Sequence, residues 1–222
     1  MTVRESRNSV LISGLAALVA LAIGILVGGR LGEAEAPGND SAEAGFLRDM
    51  AMHHRQAVEM SLVVFPRTDD PVIRSLALDI ATSQQAQVGM MSGWLDAWGL
   101  RQTGPGKAMA WMGHDLGPGE RMPGLASDED LRRLAALPPG EADILYLRLM
   151  TVHHAAGVDM ANALLERSDR DLVTDFAAKV AANQSVEIET MDNLLMERGA
   201  ASGGDDPGAT PGAAAMPEHG RD

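Results

Sequence analysis

The sequence predicts an all-α protein, a pseudo-two-fold four-helix bundle preceded by an N-terminal transmembrane or signal helix. The first observation behind this is a repeated phrase. Phe46-Leu-Arg-Asp-Met50-Ala-Met-His53-His54-Arg-Gln-Ala-Val-Glu59-Met60 returns one hundred residues later as Tyr146-Leu-Arg-Leu-Met150-Thr-Val-His153-His154-Ala-Ala-Gly-Val-Asp159-Met160. The second is that the same offset pairs Asp69 with Asp169, Ala77 with Ala177, Ile80 with Val180, Gln84 with Gln184, Met91 with Met191 and Leu95 with Leu195. The repeated unit is therefore a helix pair of about 50 residues. A single amphipathic pair cannot bury its apolar stripe, so two must pack face to face.

The elements follow in order. Residues 1–30 hold a charge-free stretch from Asn8 to Gly29, long enough as a helix for a hydrocarbon layer of ~30 Å. Arg4 and Arg7 precede it, which places the N-terminus inside and the remainder outside. The small-x-small triplet Ala34-Glu35-Ala36 offers a cleaved signal as the alternative. The expectation is a single-pass location at the cell membrane with the C-terminal domain outside, or secretion after cleavage. Residues 31–42 read as a linker. The duplicated domain spans 43–199, and residues 200–222, rich in Gly, Ala and Pro, form a tail expected to be disordered.

Within the domain, a helix over about 42–65 is halted by Pro66. Asp69-Asp70-Pro71 caps a second, over about 71–98, closed by Gly99. Residues 100–126, dense in Gly and Pro, should be mostly loop. Ser127-Asp-Glu-Asp130 caps a brief helix through Leu137, and Pro138-Pro139-Gly140 ends it. The third and fourth long helices cover about 141–167 and 169–199.

Composition narrows the function classes. A formal charge of −13 argues against nucleic acid as a partner. The chain has no cysteine, which removes disulfides, thiolate metal sites and cysteine nucleophiles. Methionine reaches 14 residues, against three Phe, three Trp and one Tyr. Helical periodicity places Phe46, Met50, His53, Ala57, Met60 and Val64 on one stripe, and Tyr146, Met150, His153, Gly157, Met160 and Leu164 on its repeat. The facing helices present Gln84, Gln87, Met91 and Gln184, Glu187, Met191. Each seam is thus apolar at its ends and polar in its middle. His54 and His154 lie about 100° from the seam, where they flank the core, reach the neighbouring hairpin or face a pocket opening.

Buried imidazoles and amides call for hydrogen bonds or a bound ion. Imidazole and thioether together suit copper, Cu(I) above all, which makes a metal ion the expected partner. The competing reading is a non-catalytic structural or interaction domain of the cell envelope, in which a buried His/Gln network fixes register. Met109, Met112, His114 and Met122 form a second group in the central connection; Met216 and His219 lie in the tail. Glu59 and Asp159 are either solvated or bonded to a neighbouring histidine. Enzymatic signals are thin: no Glu-x-x-His stands in the repeated helices, and no phosphate loop or nucleophile elbow is present.

These phrases, with Gln84-x-x-Gln87-x-x-x-Met91-x-x-Trp94-Leu95 and the Met122-Pro-Gly-Leu segment, resemble the bacterial family known as domain of unknown function 305 across residues 43 to 199. The resemblance implies an exported, ferritin-like helical bundle with links to copper binding. Carried onto this chain, it points to His53, His54, Met60, His153, His154 and Met160 as metal-binding residues. Gln84, Gln87, Met91, Gln184, Glu187 and Met191 then stand as supporting or seam positions. Two departures tell against high-capacity storage: the central connection holds few Met and His, and Gln87 is matched by Glu187.

Overall fold

A computed structural model describes residues 35–200. The chain divides into two compact units, Met1–Pro37 and Gly38–Asp222. Of the first only residues 35–37 are described, and the following account concerns the second. Among the described residues the fold is all-α, with five α-helices, one turn of 3-10 helix and no strand.

Helix α1 is Ala42–Val64 and starts where the Ser41 hydroxyl accepts from the Ala44 amide at 3.2 Å. It stops before Pro66, whose ring cannot continue the helical ladder. Helix α2, Pro71–Ala97, has Pro71 in its first turn, and the Asp70 carboxylate accepts from the Val72 and Ile73 amides at 2.8 and 3.2 Å. Its C-terminus closes with Gly99 at φ +67° while the Leu100 amide donates back to the Leu95 carbonyl at 2.8 Å. Helix α5, Asp171–Glu197, closes the same way: Gly199 is at φ +67° and the Ala200 amide reaches the Leu195 carbonyl at 2.9 Å. The duplication therefore extends into the caps.

Between the two hairpins lie the 3-10 turn Ala110–Met112 and the short helix α3, Asp128–Ala136, with Ser127 and Asp130 forming a reciprocal capping box. Helix α4 is Pro139–Leu165. Pro138-Pro139-Gly140, expected to stand outside both helices, instead opens α4. The reason is local: the fixed φ of proline and its missing N–H both suit a first helical turn.

The expected attachment to a membrane through an N-terminal helix, and the single-pass location that went with it, is corrected. No helix among the described residues is long and apolar enough to cross a membrane. The segment on which that expectation rested, residues 1–30, lies outside the described residues, as do the tail residues 201–222 with Met216 and His219.

Helices α1 and α2 pack as one hairpin and α4 and α5 as another, α1 lies against α4, and α3 packs on both of these. The core divides into two apolar clusters. One holds Phe46, Leu47, Met50, Met91, Leu95, Met160, Leu164, Val173, Phe176 and Val180. The other holds Met60, Val64, Ile73, Ile80, Tyr146, Leu147, Met150, Met191 and Leu195. Adding one hundred to a residue number moves it from one cluster to the other, as Phe46 to Tyr146 or Ile73 to Val173. Between the clusters fall His53, His54, Gln84, His153, His154 and Gln184, all buried and none belonging to either. The bundle is thus two apolar ends joined at a polar waist.

Candidate metal centre

The four histidines are fully buried, at 0% exposure each. Adjacent positions on a helix diverge by about 100°, and the two members of each pair accordingly serve different contacts. His53 and His153 meet between α1 and α4 with ring centroids 3.7 Å apart and planes 31° from parallel. His153 Nε2 donates to the His53 carbonyl at 3.0 Å. His54 and His154 turn instead into their own hairpins. His54 Nε2 lies 2.7 Å from Gln87 Oε1, and His154 Nε2 lies 2.7 Å from Glu187 Oε2.

Burial favours the neutral form of His53, His54 and His153. It lowers the pKa of His53 to about 3, with repulsion from His54 and His154 adding to the effect, although the nearby Pro123 carbonyl favours the charged form. His54 is also pushed down to about 3 by burial, against the raising influence of its Gln87 bond. His153 is held well below the ordinary histidine value, by burial first and by His53, His154 and His54 next. A neutral imidazole keeps a lone pair on one nitrogen, which is the form that ligates metals.

Much of the waist is not satisfied by the protein. Nδ1 of all four histidines, Nε2 of His53 and both amide atoms of Gln84 and Gln184 make no hydrogen bond within it. Each such atom costs roughly 1–3 kcal/mol when buried without compensation. Close approach is built in at Gly157, where an added Cβ would overlap the Gln184 amide oxygen. The equivalent position in the first half is Ala57.

The structure gathers the four histidines, Gln84 and Gln184 into one layer, with Gln87 and Glu187 at its edge. Met60, Met160, Met91 and Met191 are buried but lie in the apolar clusters, Met91 and Met160 in one and Met60 and Met191 in the other. Glu59 and Asp159 are exposed. In the central connection Met109 and Met122 belong to the core and Met112 packs against it, while His114 is half-buried. Among the described residues no group of three or more His, Asp or Glu is placed to hold a metal ion.

Two groups escaped the sequence reading. Asp49 is buried and its Oδ2 accepts from the Met109 amide at 2.7 Å and from Trp111 Nε1 at 2.9 Å, fixing Met109 at φ 64°. Its signal was an acid within the apolar stripe between Phe46 and Met50. Gln56 binds the Ala126 backbone twice, accepting from its amide at 2.7 Å and donating to its carbonyl at 3.1 Å. That clasp lays residues 122–126 over the waist: Pro123 approaches His53, and a Cβ on Gly124, at φ +78°, would lie 2.5 Å from Ala156 Cβ and 3.3 Å from His153 Cα.

The family model described as Domain of unknown function (DUF305) matches residues 43–195, and the chain belongs to this family. Its fold is similar to the crystal structure of a putative secreted DUF305 protein from Streptomyces coelicolor, at 45% identity and a TM-score of 0.71, covering 76% of this chain and 100% of that one. A DUF305 fragment from Deinococcus radiodurans is 31% identical with a TM-score of 0.59, covering 70% and 96%. CopM in its Cu(I)-bound form shares the fold at 22% identity and a TM-score of 0.55, covering 71% and 97%; CopM has also been solved in Cu(II)-bound, Ag-bound and apo forms. A stretch of 51 residues is 43% identical to uncharacterized protein L153 of Acanthamoeba polyphaga mimivirus, 34% of whose length the chain spans.

Proposed function

We propose that this DUF305 domain is an extracytoplasmic, non-catalytic module that binds or buffers copper through histidine and methionine. The observation that carries the proposal is the waist itself, where four fully buried imidazoles leave every Nδ1 without a hydrogen bond in the protein. Unpaired imidazole lone pairs, with buried thioethers on either side, are the donor chemistry that Cu(I) prefers. His53, His54, Met60, His153, His154 and Met160 are the proposed ligating residues. Gln84, Gln87, Met91, Gln184, Glu187 and Met191 orient or enclose them. Copper is cargo in this reading. Further support comes from the copper-bound forms in which CopM, a protein of the same fold, has been solved. The putative secreted relative supports the extracytoplasmic setting. The proposal takes residues 43–199 as a pseudo-two-fold, ferritin-like bundle between the 31–42 linker and the 200–222 tail.

The test is titration of the protein with Cu(I) and Cu(II) against a competing chelator, repeated on His53→Ala with His153→Ala. Binding tighter than about micromolar, weakened in the double variant, is expected. No affinity better than micromolar, or unchanged affinity and stoichiometry in the variant, overturns it.

A second reading has direct support from the hydrogen bonds at His54, His153 and His154. In it the waist is a polar network that holds two hairpins in one register, and the domain serves as a structural or interaction element of the envelope. Thermal melting of the same double variant without metal tests this: a loss above about 2 kcal/mol is expected for two buried, stacked rings of which His153 is hydrogen-bonded, and a negligible loss overturns it.

A further inference from the structure

The two flanking histidines make geometrically equal bonds to chemically unequal groups. Gln87 carries an amide, whose oxygen accepts and whose nitrogen donates, so a half-turn of the side chain suits either tautomer of His54. Glu187 carries a carboxylate, which only accepts. Its bond to His154 at 2.7 Å therefore requires the proton to be on Nε2. In the neutral ring the lone pair of His154 is then on Nδ1, which is buried and makes no hydrogen bond. The same logic fixes His153, whose Nε2 faces the His53 carbonyl and whose Nδ1 is likewise unpaired. Among the described residues Glu187 is the only carboxylate bonded to any of the four rings. Its carboxylate can offset the charge of a cation entering this layer of rings.

Resting on the copper reading above, we infer that Glu187 is a positioning residue that presents His154 Nδ1 as a ligating atom and strengthens Cu(I) binding at the waist. A carboxylate behind a ligating imidazole raises its basicity and locks its orientation, and such outer groups are commonly worth 10- to 100-fold in metal affinity. The first half, with Gln87 in the same place, lacks both the charge and the fixed tautomer.

The experiment compares the full chain with Glu187→Gln and with Gln87→Glu. Cu(I) affinity is measured by competition with a chromogenic Cu(I) chelator, and the histidine tautomers of the metal-free protein are read from 15N imidazole spectra. The expected result is His154 with Nε2 protonated and Nδ1 bare in the wild type. Glu187→Gln should blur that tautomer and weaken Cu(I) binding by 10- to 100-fold, and Gln87→Glu should strengthen it. A Glu187→Gln affinity within twofold of wild type, or His154 protonated on Nδ1, overturns the assignment. If the wild type binds no Cu(I), the copper reading fails. The tautomer spectra alone then decide whether Glu187 positions His154.

Discussion

At one end of the bundle Glu43 accepts a hydrogen bond from the Ser168 hydroxyl at 2.6 Å; at the other, Asp143 accepts one from Thr68 at 2.8 Å. The two links occupy equivalent places in the two halves, each tying the start of one hairpin to the turn of the other. Their electrostatics differ. Burial pushes Asp143 above the ordinary carboxylate range, whereas at Glu43 the bonds to Ser168 and its own backbone outweigh burial and hold it below. The same substitution of chemistry recurs elsewhere. Arg198 pairs with Asp70 across the halves at one place, and at the equivalent place Arg170 sits 5.8 Å from the Trp98 ring. Tyr146 adds a hydroxyl bonded to Ser61 at 2.9 Å where the first half has Phe46. The plan dictates where the halves are joined, and leaves open which chemistry joins them. At the waist this freedom acquires consequences, because replacing Gln87 by Glu187 puts a charge beside a buried ring.

The largest effect should come from what the halves share. His53 and His54 have folded pKa values of about 3 against 6.5 for a free side chain. Between those values the unfolded chain binds protons that the folded one excludes, so stability falls as pH drops below 6.5. Each ring contributes about 1.4 kcal/mol per pH unit, or about 3 for the two. Asp49 and Asp143, both raised by burial, act with the opposite sign. Against a typical total of about 5–15 kcal/mol, acid unfolding should begin well above pH 3. Urea unfolding at steps from pH 7 to 4 measures it, and a flat profile from 6.5 to 4 contradicts it.

A smaller effect isolates the packing difference. Gly157→Ala drives a methyl group into Gln184 and should cost about 1–2 kcal/mol net, since overpacking exceeds the helix-propensity gain. Adding Gln184→Ala should recover most of that loss, while Ala57→Gly with Gln84→Ala should prove additive in denaturant melts. Equal coupling in both cycles would erase the distinction between the halves. The smallest effect concerns the end links. Arg198→Ala should cost under about 1 kcal/mol, less at high salt, because its partly exposed ion pair is screened. Arg170→Ala should lose a similar amount, through its Trp98 contact and its attraction to Glu43. Melts at two ionic strengths measure both losses, and a loss above about 2 kcal/mol in either variant contradicts this ranking.

Much of this architecture was legible in the sequence because helical periodicity and a repeated phrase are local signals. Caps at Asp70 and Ser127 follow from short polar side chains before apolar runs, and the waist follows from Gln84 and Gln184 on otherwise apolar stripes. The direction of His54 and His154 was left among three alternatives, since phase alone does not say which neighbour fills the 100° flank. The hairpin partner fills it, which buries both rings completely. The Gln56 clasp and the Asp49 anchor were missed because each binds backbone of the central connection, and a loop's path across a bundle leaves no periodic trace. Met60, Met91, Met160 and Met191 fell where the stripes placed them, but the stripes did not reveal that the waist would separate them into two clusters.

The strip of chain from Met122 to Ala126, clasped by Gln56 and seated on α4 at Gly124, has a consequence for time rather than for affinity. With none of the four waist rings reachable from solvent, anything that exchanges with the waist must wait for a local opening, and this strip, held at Ala126 by the two Gln56 hydrogen bonds, covers part of that layer. How tightly an ion is held would then depend on the rings, and how long it stays on the clasp. The two quantities can be tuned by different residues.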